Sequence, residues 1–311
     1  MRGTFYLLLT GLLISTIGIW TKLIGSNVSP FLLTMFRTLT AAVLIFVMVA
    51  LSRNMKTIET LMIRRREVLP FLAAGFFGVS IGMGFYIKSF SYVPVANSVM
   101  LVFIYPAVTA VLSWFILKEK ISRLEVVALA LVVLGVWSIY GSEINVASDA
   151  FGNMLAITAG FGYSVFIVSM RYFEKKGYKY WNVTFWPLMI GGVILTLFLP
   201  FEPFSFSPSG YTPICILGLV LVTFFGYLFY AKGLKTIRAH DAVIISALTE
   251  PLAAMALAFV VLGESIPDYV LAGAAMIIAA NVLVGIEFRK KSKEKHRSKA
   301  KDGETGFGWV W

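Results

Sequence analysis

Five stretches of this chain contain no charged residue: Val68–Ile87, Ser89–Leu117, Ala150–Met170, Tyr180–Phe201 and Pro203–Ala231. A helix needs about 20 mostly apolar residues to cross a bilayer, and each stretch reaches that length. A single soluble core cannot absorb five such runs. In lipid every backbone N–H and C=O has to be satisfied internally. Nothing here alternates like the strands of a membrane barrel, so each run has to be helical. Charged residues are 14% of the 311, against about 25% in a soluble domain. Extending the same reading to the remaining apolar segments gives ten spans: 4–24, 29–51, 68–90, 94–117, 124–141, 151–172, 181–200, 211–233, 240–262 and 268–287. The first run follows Arg2 and reads as a span rather than a signal peptide, because no small-residue cleavage site follows it.

The basic residues orient these spans. Of the 27 Lys and Arg, all but Lys22, Lys88 and Arg37 fall on one side, in alternate gaps and in the tail beyond residue 288. The gaps 142–150, 201–210 and 263–267 hold Glu143, Asp149, Glu202 and Glu264 but no Lys or Arg. The positive-inside rule then places both termini in the cytoplasm of a multi-pass plasma-membrane protein. The net charge of +11 is a topology signal, spread over short loops, and not a nucleic-acid-binding face. The tail also offers contact with anionic membrane lipid, worth about 1 kcal/mol per basic residue near the surface; a solvated, disordered tail is the equal alternative.

The two halves resemble each other. Gly3, Gly11, Ser15 and Lys22 match Gly152, Gly160, Ser164 and Arg171 at an offset of 149. Gly82, Phe85, Tyr86 and Lys88 match Gly226, Phe229, Tyr230 and Lys232 at an offset of 144. Pro106 and Glu119 match Pro251 and Glu264 at 145. Ordered matches at a near-constant spacing point to a duplicated unit. The expected organisation is a first five-helix repeat over 1–141, a second over 142–287 and a basic cytoplasmic tail over 288–311. Five is odd, so the second copy enters the membrane from the other side. Inverted repeats of this kind characterise secondary transporters, which hold substrate near the midplane between the repeats.

The same residues carry a family resemblance. Ser29-Pro30, with Arg37 seven residues after the proline and Ala41-Ala42 following, resembles the second helix of EamA-type transporters of the drug/metabolite transporter (DMT) superfamily. Tyr105-Pro106 followed by Leu117-Lys118-Glu119, and Glu250-Pro251 followed by Leu262-Gly263-Glu264, resemble that family's proline-then-glutamate signature, once per repeat. The resemblance spans roughly residues 4–287. It implies the DMT fold of ten helices in two inverted fives, and transport of amino acids, sugars or related metabolites, with export favoured over uptake. It also implies a cavity lined by the first, third, fourth, sixth, eighth and ninth helices. The superfamily's small four-helix pumps carry a glutamate in their first helix; neither Thr4–Thr21 nor Gly152–Met170 contains an acid, so that coupling scheme does not transfer.

Glu250 is the leading candidate residue. It lies near the middle of the ninth span, where an ionisable group costs about 2.5–3.5 kcal/mol on insertion scales and has to face the bundle interior or water. It reads as a proton carrier, as the partner of a solute ammonium, or as a structural acid paired with a neighbour. Arg37, inside the second span, is read mainly as structural, with recognition of a solute carboxylate by its planar fork as the alternative. Tyr105 precedes Pro106 as Glu250 precedes Pro251, which makes it a cavity candidate; Tyr86, Asn97, Tyr163 and Tyr230 are the others near span centres. Pro106 and Pro251 each remove a backbone donor and free the carbonyls of Val102 and Ala247, so both are candidate hinges. Gly75, Gly78, Gly82 and Gly84 have the small-xxx-small spacing of a close packing face.

Other classes find little support. No phosphate-binding glycine loop with lysine is present, so neither ATP nor an ATPase subunit is implied. No Ser-His-Asp or zinc signature stands at membrane depth, so no enzyme, metal or cofactor is expected. Cys215 is the only cysteine. The expected partners are a small-molecule solute, membrane lipid and, on the first reading of Glu250, protons. A small-solute channel or facilitator is the alternative to a carrier, and a membrane scaffold or enzyme a more distant one.

Overall fold

The computed structural model describes residues 2–51, 61–118, 123–141, 147–207, 209–234, 239–280, 282, 283 and 286. Arg53, Lys56, Glu119 and the tail over 288–311 lie outside the described residues. In chain order the helices are α1 (Gly3–Asn27), α2 (Pro30–Leu51), α3 (Arg65–Ser89), α4 (Val95–Leu117), α5 (Arg123–Gly141), α6 (Ala150–Lys175), α7 (Tyr180–Phe201), α8 (Thr212–Gly233), α9 (Ala239–Leu262) and α10 (Asp268–Ala280). Seven of them, α1 to α4 and α6 to α8, are by length and composition able to cross a membrane. The apolar parts of the other three are shorter: Val126–Gly135, Thr249–Leu262 and Asp268–Ala280. Among the described residues no strand forms. One antiparallel bridge, Val28 with Phe206, ties the α1–α2 turn to the α7–α8 loop, and Ser29 N–H donates to the Ser205 carbonyl at 3.0 Å.

The helices before and after residue 142 interleave rather than sitting side by side. The middle of α3 packs against α6 and α7, α1 against α8 and α9, α2 against α7 and α8, and the later part of α4 against α6. In lipid the solvent is as apolar as leucine, so close association depends on small residues and polar contacts. The glycines of α3 provide it. Gly82 meets the backbone of Gly162 and Tyr163 in α6, and Gly75 meets Ile190 and Gly191 in α7. Ser80 Oγ donates to the Gly191 carbonyl at 2.9 Å. Over Ala74–Met83 α3 is π-helical, a widening that the sequence pattern does not announce. Such departures from the α-helix are frequent at functional sites.

Carboxylates at the helix ends join distant parts of the chain. Glu264, after α9, accepts hydrogen bonds from Val95 N–H at 3.0 Å and Ala96 N–H at 3.2 Å, the opening turn of α4. The first N–H groups of a helix have no intrahelical acceptor, and a carboxylate there also meets the positive end of the helix dipole. Glu264→Ala is expected to cost about 1 kcal/mol, read as a lower unfolding midpoint in detergent. Glu202 does the same for α2: it accepts from Phe31 N–H at 2.8 Å and pairs with Lys88 at 3.0 Å. At the opposite end of α3, Glu67 accepts from the Tyr172 hydroxyl at 2.9 Å and pairs with Lys176 at 3.4 Å. The hydrogen bond to Glu67 raises the Lys176 ammonium above its usual pKa.

Candidate functional site

The centre of the bundle holds a cavity bounded by Thr10 and Ile14 from α1, Tyr86 from α3, Val102 and Tyr105 from α4, Tyr163, Phe166 and Ile167 from α6, Tyr227 and Tyr230 from α8, and Glu250 from α9. In this conformation it is narrow, about 40 Å³, well below the several hundred Å³ of an open small-molecule site. It takes the form of a slot between aromatic rings. The set of contributing helices is the one that the family resemblance implies.

Three pairs of lining residues occupy positions that the internal repeat relates. Ile14 and Tyr163 stand at the offset of 149, Tyr86 and Tyr230 at 144, and Tyr105 and Glu250 at 145. Local structure sets each of them in place. The fourth span breaks: α-helix runs over Val95–Val102 and starts again at Tyr105. Phe103 N–H reaches back to both the Val99 and Met100 carbonyls. Pro106 therefore sits in the first turn of a new helical segment. The carbonyl of Val102, which Pro106 cannot serve, lies against Gly160, where a Cβ would stand 2.7 Å from it. Ser164 Oγ donates to the Tyr105 carbonyl at 2.9 Å, so α6 holds the break on two sides. The corresponding Pro251 lies inside an unbroken helix, α9. The two candidate hinge prolines thus stand in different settings, Pro106 at the start of a new helical segment and Pro251 inside a continuous one.

The tyrosines form a joined wall. Tyr86 and Tyr163 meet edge to face, 6.1 Å between centroids at 82°, and Tyr105 and Tyr163 are 6.3 Å apart at 45°. The Tyr163 and Tyr227 hydroxyls are 3.3 Å apart. The Tyr230 hydroxyl is buried and has no hydrogen-bond partner among the described residues. Glu250 is partly exposed, and it carries the only carboxyl group among the described lining residues.

Five of the seven residues expected to bind solute, Glu250, Tyr86, Tyr105, Tyr163 and Tyr230, come together here. Two do not. Asn97 is 2% exposed and stands in the opening turn of α4, beside the residues capped by Glu264; two turns of helix separate it from Tyr105, so it belongs to the end of the bundle rather than its centre. Arg37 is fully buried behind the wall. Its Nη1 donates to Thr223 Oγ1 at 3.3 Å, and its guanidinium also lies against the Tyr163 hydroxyl of the wall. Sequence reasoning missed Tyr227, Phe166, Ile167, Val102, Thr10 and Ile14. Tyr227 was findable: it lies three residues before Tyr230, one turn away on the same helix face.

A family model described as "EamA-like transporter family" matches residues 1–141 and again residues 150–286. The chain belongs to the EamA-like transporter family. It is therefore a multi-pass membrane transporter acting on small solutes, and not an enzyme. An uncharacterized transporter of Clostridium kluyveri is 26% identical over 295 residues, 91% of this chain and 92% of that protein. The uncharacterized transporter YyaM of Bacillus subtilis is 25% identical over 69% of this chain and 72% of its own. Protein LicB of Haemophilus influenzae is 21% identical over 71% and 76%. One solved crystal structure shares the fold at a TM-score of 0.65 and 20% identity, covering 93% of this chain and 98% of that one.

Proposed function

We propose that this protein is a secondary transporter that moves a small polar organic metabolite, an amino acid or a similar amine, out of the cytoplasm by alternating access, with protons as the coupling ion. The observation that carries this reading is the central cavity, whose walls come from both halves at repeat-related positions around one carboxylate. The two successive family matches support a duplicated unit of 1–141 and 142–287. An odd number of spans per unit inverts the second copy. The ten-span topology, with both termini in the plasma-membrane cytoplasmic space and the tail among them, rests on the asymmetry of Lys and Arg.

Inverted copies give two pseudo-equivalent conformations, each open to one face. Two polar ties sit where such opening acts. Lys88 with Glu202 at one end of α3, and Glu67 with Lys176 and Tyr172 at the other, each join a residue before 142 to one after it. In the proposed cycle they part in turn. Glu250 neutralises itself either with a proton or with a solute ammonium. One carboxylate cannot do both at once, and that competition couples the two fluxes. Export is the direction carried by the family resemblance.

The test is counterflow in proteoliposomes: a screen of amino acids, other amines, nucleosides and sugars, with and without a pH gradient. The expected result is saturable exchange of one amine class, accelerated by an opposing gradient. Unitary single-channel currents in place of saturable exchange would make the protein a pore and end the carrier reading.

A further inference from the structure

A polar cavity of about 420 Å³ lies where the end of α1, the start of α2 and the ends of α3 and α7 meet. An apolar groove of about 410 Å³ adjoins it between α2 and α8. Val28 and Leu33 line both, and the neighbours Ser205 and Phe206 line one each. We infer that the pair forms a binding site for one anionic phospholipid, from the leaflet at the α1–α2 turn. Its phosphodiester sits by Lys22 and Lys88 in the polar cavity, and an acyl chain lies along the groove. The site is separate from the central cavity and does not depend on what the protein transports.

Lys22 and Lys88 are the two basic residues that depart from the one-sided distribution of Lys and Arg along the chain, and both line this one cavity. Its single carboxylate, Glu202, has both oxygens engaged: Oε1 accepts from Phe31 N–H and Oε2 from Lys88 Nζ. Lys22 has no ion-pair partner among the described residues. The cavity therefore carries one net positive charge, the complement of a single phosphodiester. Ser29 also lines it; the residue is 5% exposed, and its Oγ has no hydrogen-bond partner among the described residues. A buried hydroxyl is costly to leave unpaired, and a phosphate oxygen would accept from it. The groove has the opposite character. Thr40 is its one lining residue with a polar side chain, and its Phe36 and Leu217 are exposed on the outside of the bundle, where lipid tails are as apolar as the side chains they meet. A free phosphate ester would leave the groove empty, and a hydrocarbon alone would leave the charge unanswered. A phospholipid supplies both parts in one molecule.

The test is site-resolved photolabelling of the full chain in phosphatidylcholine vesicles. The probes are phosphatidylglycerol and phosphatidylcholine, each with a diazirine on an otherwise identical acyl chain, and label is mapped to peptides after digestion. Label at the groove residues Phe36, Thr40, Ile216 and Leu217 is expected to be at least about fivefold greater from phosphatidylglycerol, the effect of one basic residue near a charged headgroup. Lys22→Gln is expected to bring that ratio close to one, and Ser29→Ala to lower it. Lys179→Gln removes a charge of the same kind at the start of α7, outside this cavity, and is expected to leave the ratio unchanged. The wild-type ratio is read whether or not the variants fold. Equal groove labelling by the two lipids in the wild type overturns the proposal. So does a ratio that survives in folded Lys22→Gln protein, or one that falls equally in Lys179→Gln. Excess glycerophosphoglycerol, the headgroup without its chains, is expected to leave groove labelling intact. If it abolishes that labelling as well as the intact lipid does, the cavity is a site for a soluble phosphate ester and the lipid assignment fails.

Discussion

Glu250→Gln is expected to abolish pH-gradient-driven exchange while leaving the protein at wild-type abundance in the membrane. The two side chains have nearly the same shape, so packing around α9 is preserved, and the amide carries no charge to desolvate. What disappears is the one carboxyl group among the described residues of the cavity wall. Removing one member of a desolvated ion pair costs about 2–5 kcal/mol, which is at least about thirtyfold in apparent affinity for a cationic solute. The residual exchange in the variant is expected to be flat with pH, because the competition between proton and solute has lost its site. Glu250→Asp, which keeps the charge on a shorter stem, is expected to retain a pH dependence with weaker apparent affinity. Wild-type flux from the glutamine variant at every pH would remove Glu250 from the mechanism.

That the carboxylate was findable at all reflects how a membrane chain encodes its structure. A single acid amid the apolar residues of the ninth span is conspicuous, because lipid penalises it and only an interior position relieves the penalty. The pairings Tyr86 with Tyr230 and Tyr105 with Glu250 were legible for a different reason: a duplicated chain places equivalent residues about one axis, so a position that reaches the cavity in one half tends to do so in the other. What the sequence did not carry was helix rotation. In a soluble helix the polar face marks the outside. Here Phe5, Trp114 and Phe115 face outward and are as apolar as the buried Phe166 and Phe173. Asn97 therefore looked as central as Tyr105 until the capping of α4 by Glu264 fixed its depth. The π-helical run Ala74–Met83 was invisible as well, since its small and apolar residues fit an ordinary helix equally well. Pro106 and Pro251 match in sequence yet differ in setting, because a break depends on what the freed carbonyls meet, and at Pro106 they meet Gly160 and Ser164.

The second large effect is expected from a single methyl group at Gly162. A Cβ there would stand 2.5 Å from the Phe77 carbonyl oxygen and 2.6 Å from both the Cα and the nitrogen of Gly82. All three are backbone atoms, so no side-chain rotation makes room, and α3 and α6 have to separate. Overpacking costs about 1–3 kcal/mol when neighbours adjust and more when they cannot, which places Gly162→Ala at or above the top of that range. The same separation pulls Tyr86 on α3 away from Tyr163 on α6, and so opens the aromatic wall. Exchange is expected to fall severely even in the fraction that folds. Gly226→Ala is the matched control. It stands at the position that the repeat relates to Gly82, but its added Cβ would meet only the Ile14 side chain, at 3.1 Å and 3.7 Å, and that side chain can turn aside. The detergent unfolding midpoint is expected to drop clearly for Gly162→Ala and little for Gly226→Ala. Wild-type stability and wild-type exchange in the Gly162 variant would mean that α3 and α6 do not meet backbone to backbone, and the aromatic wall they present together would have to be rebuilt in another register.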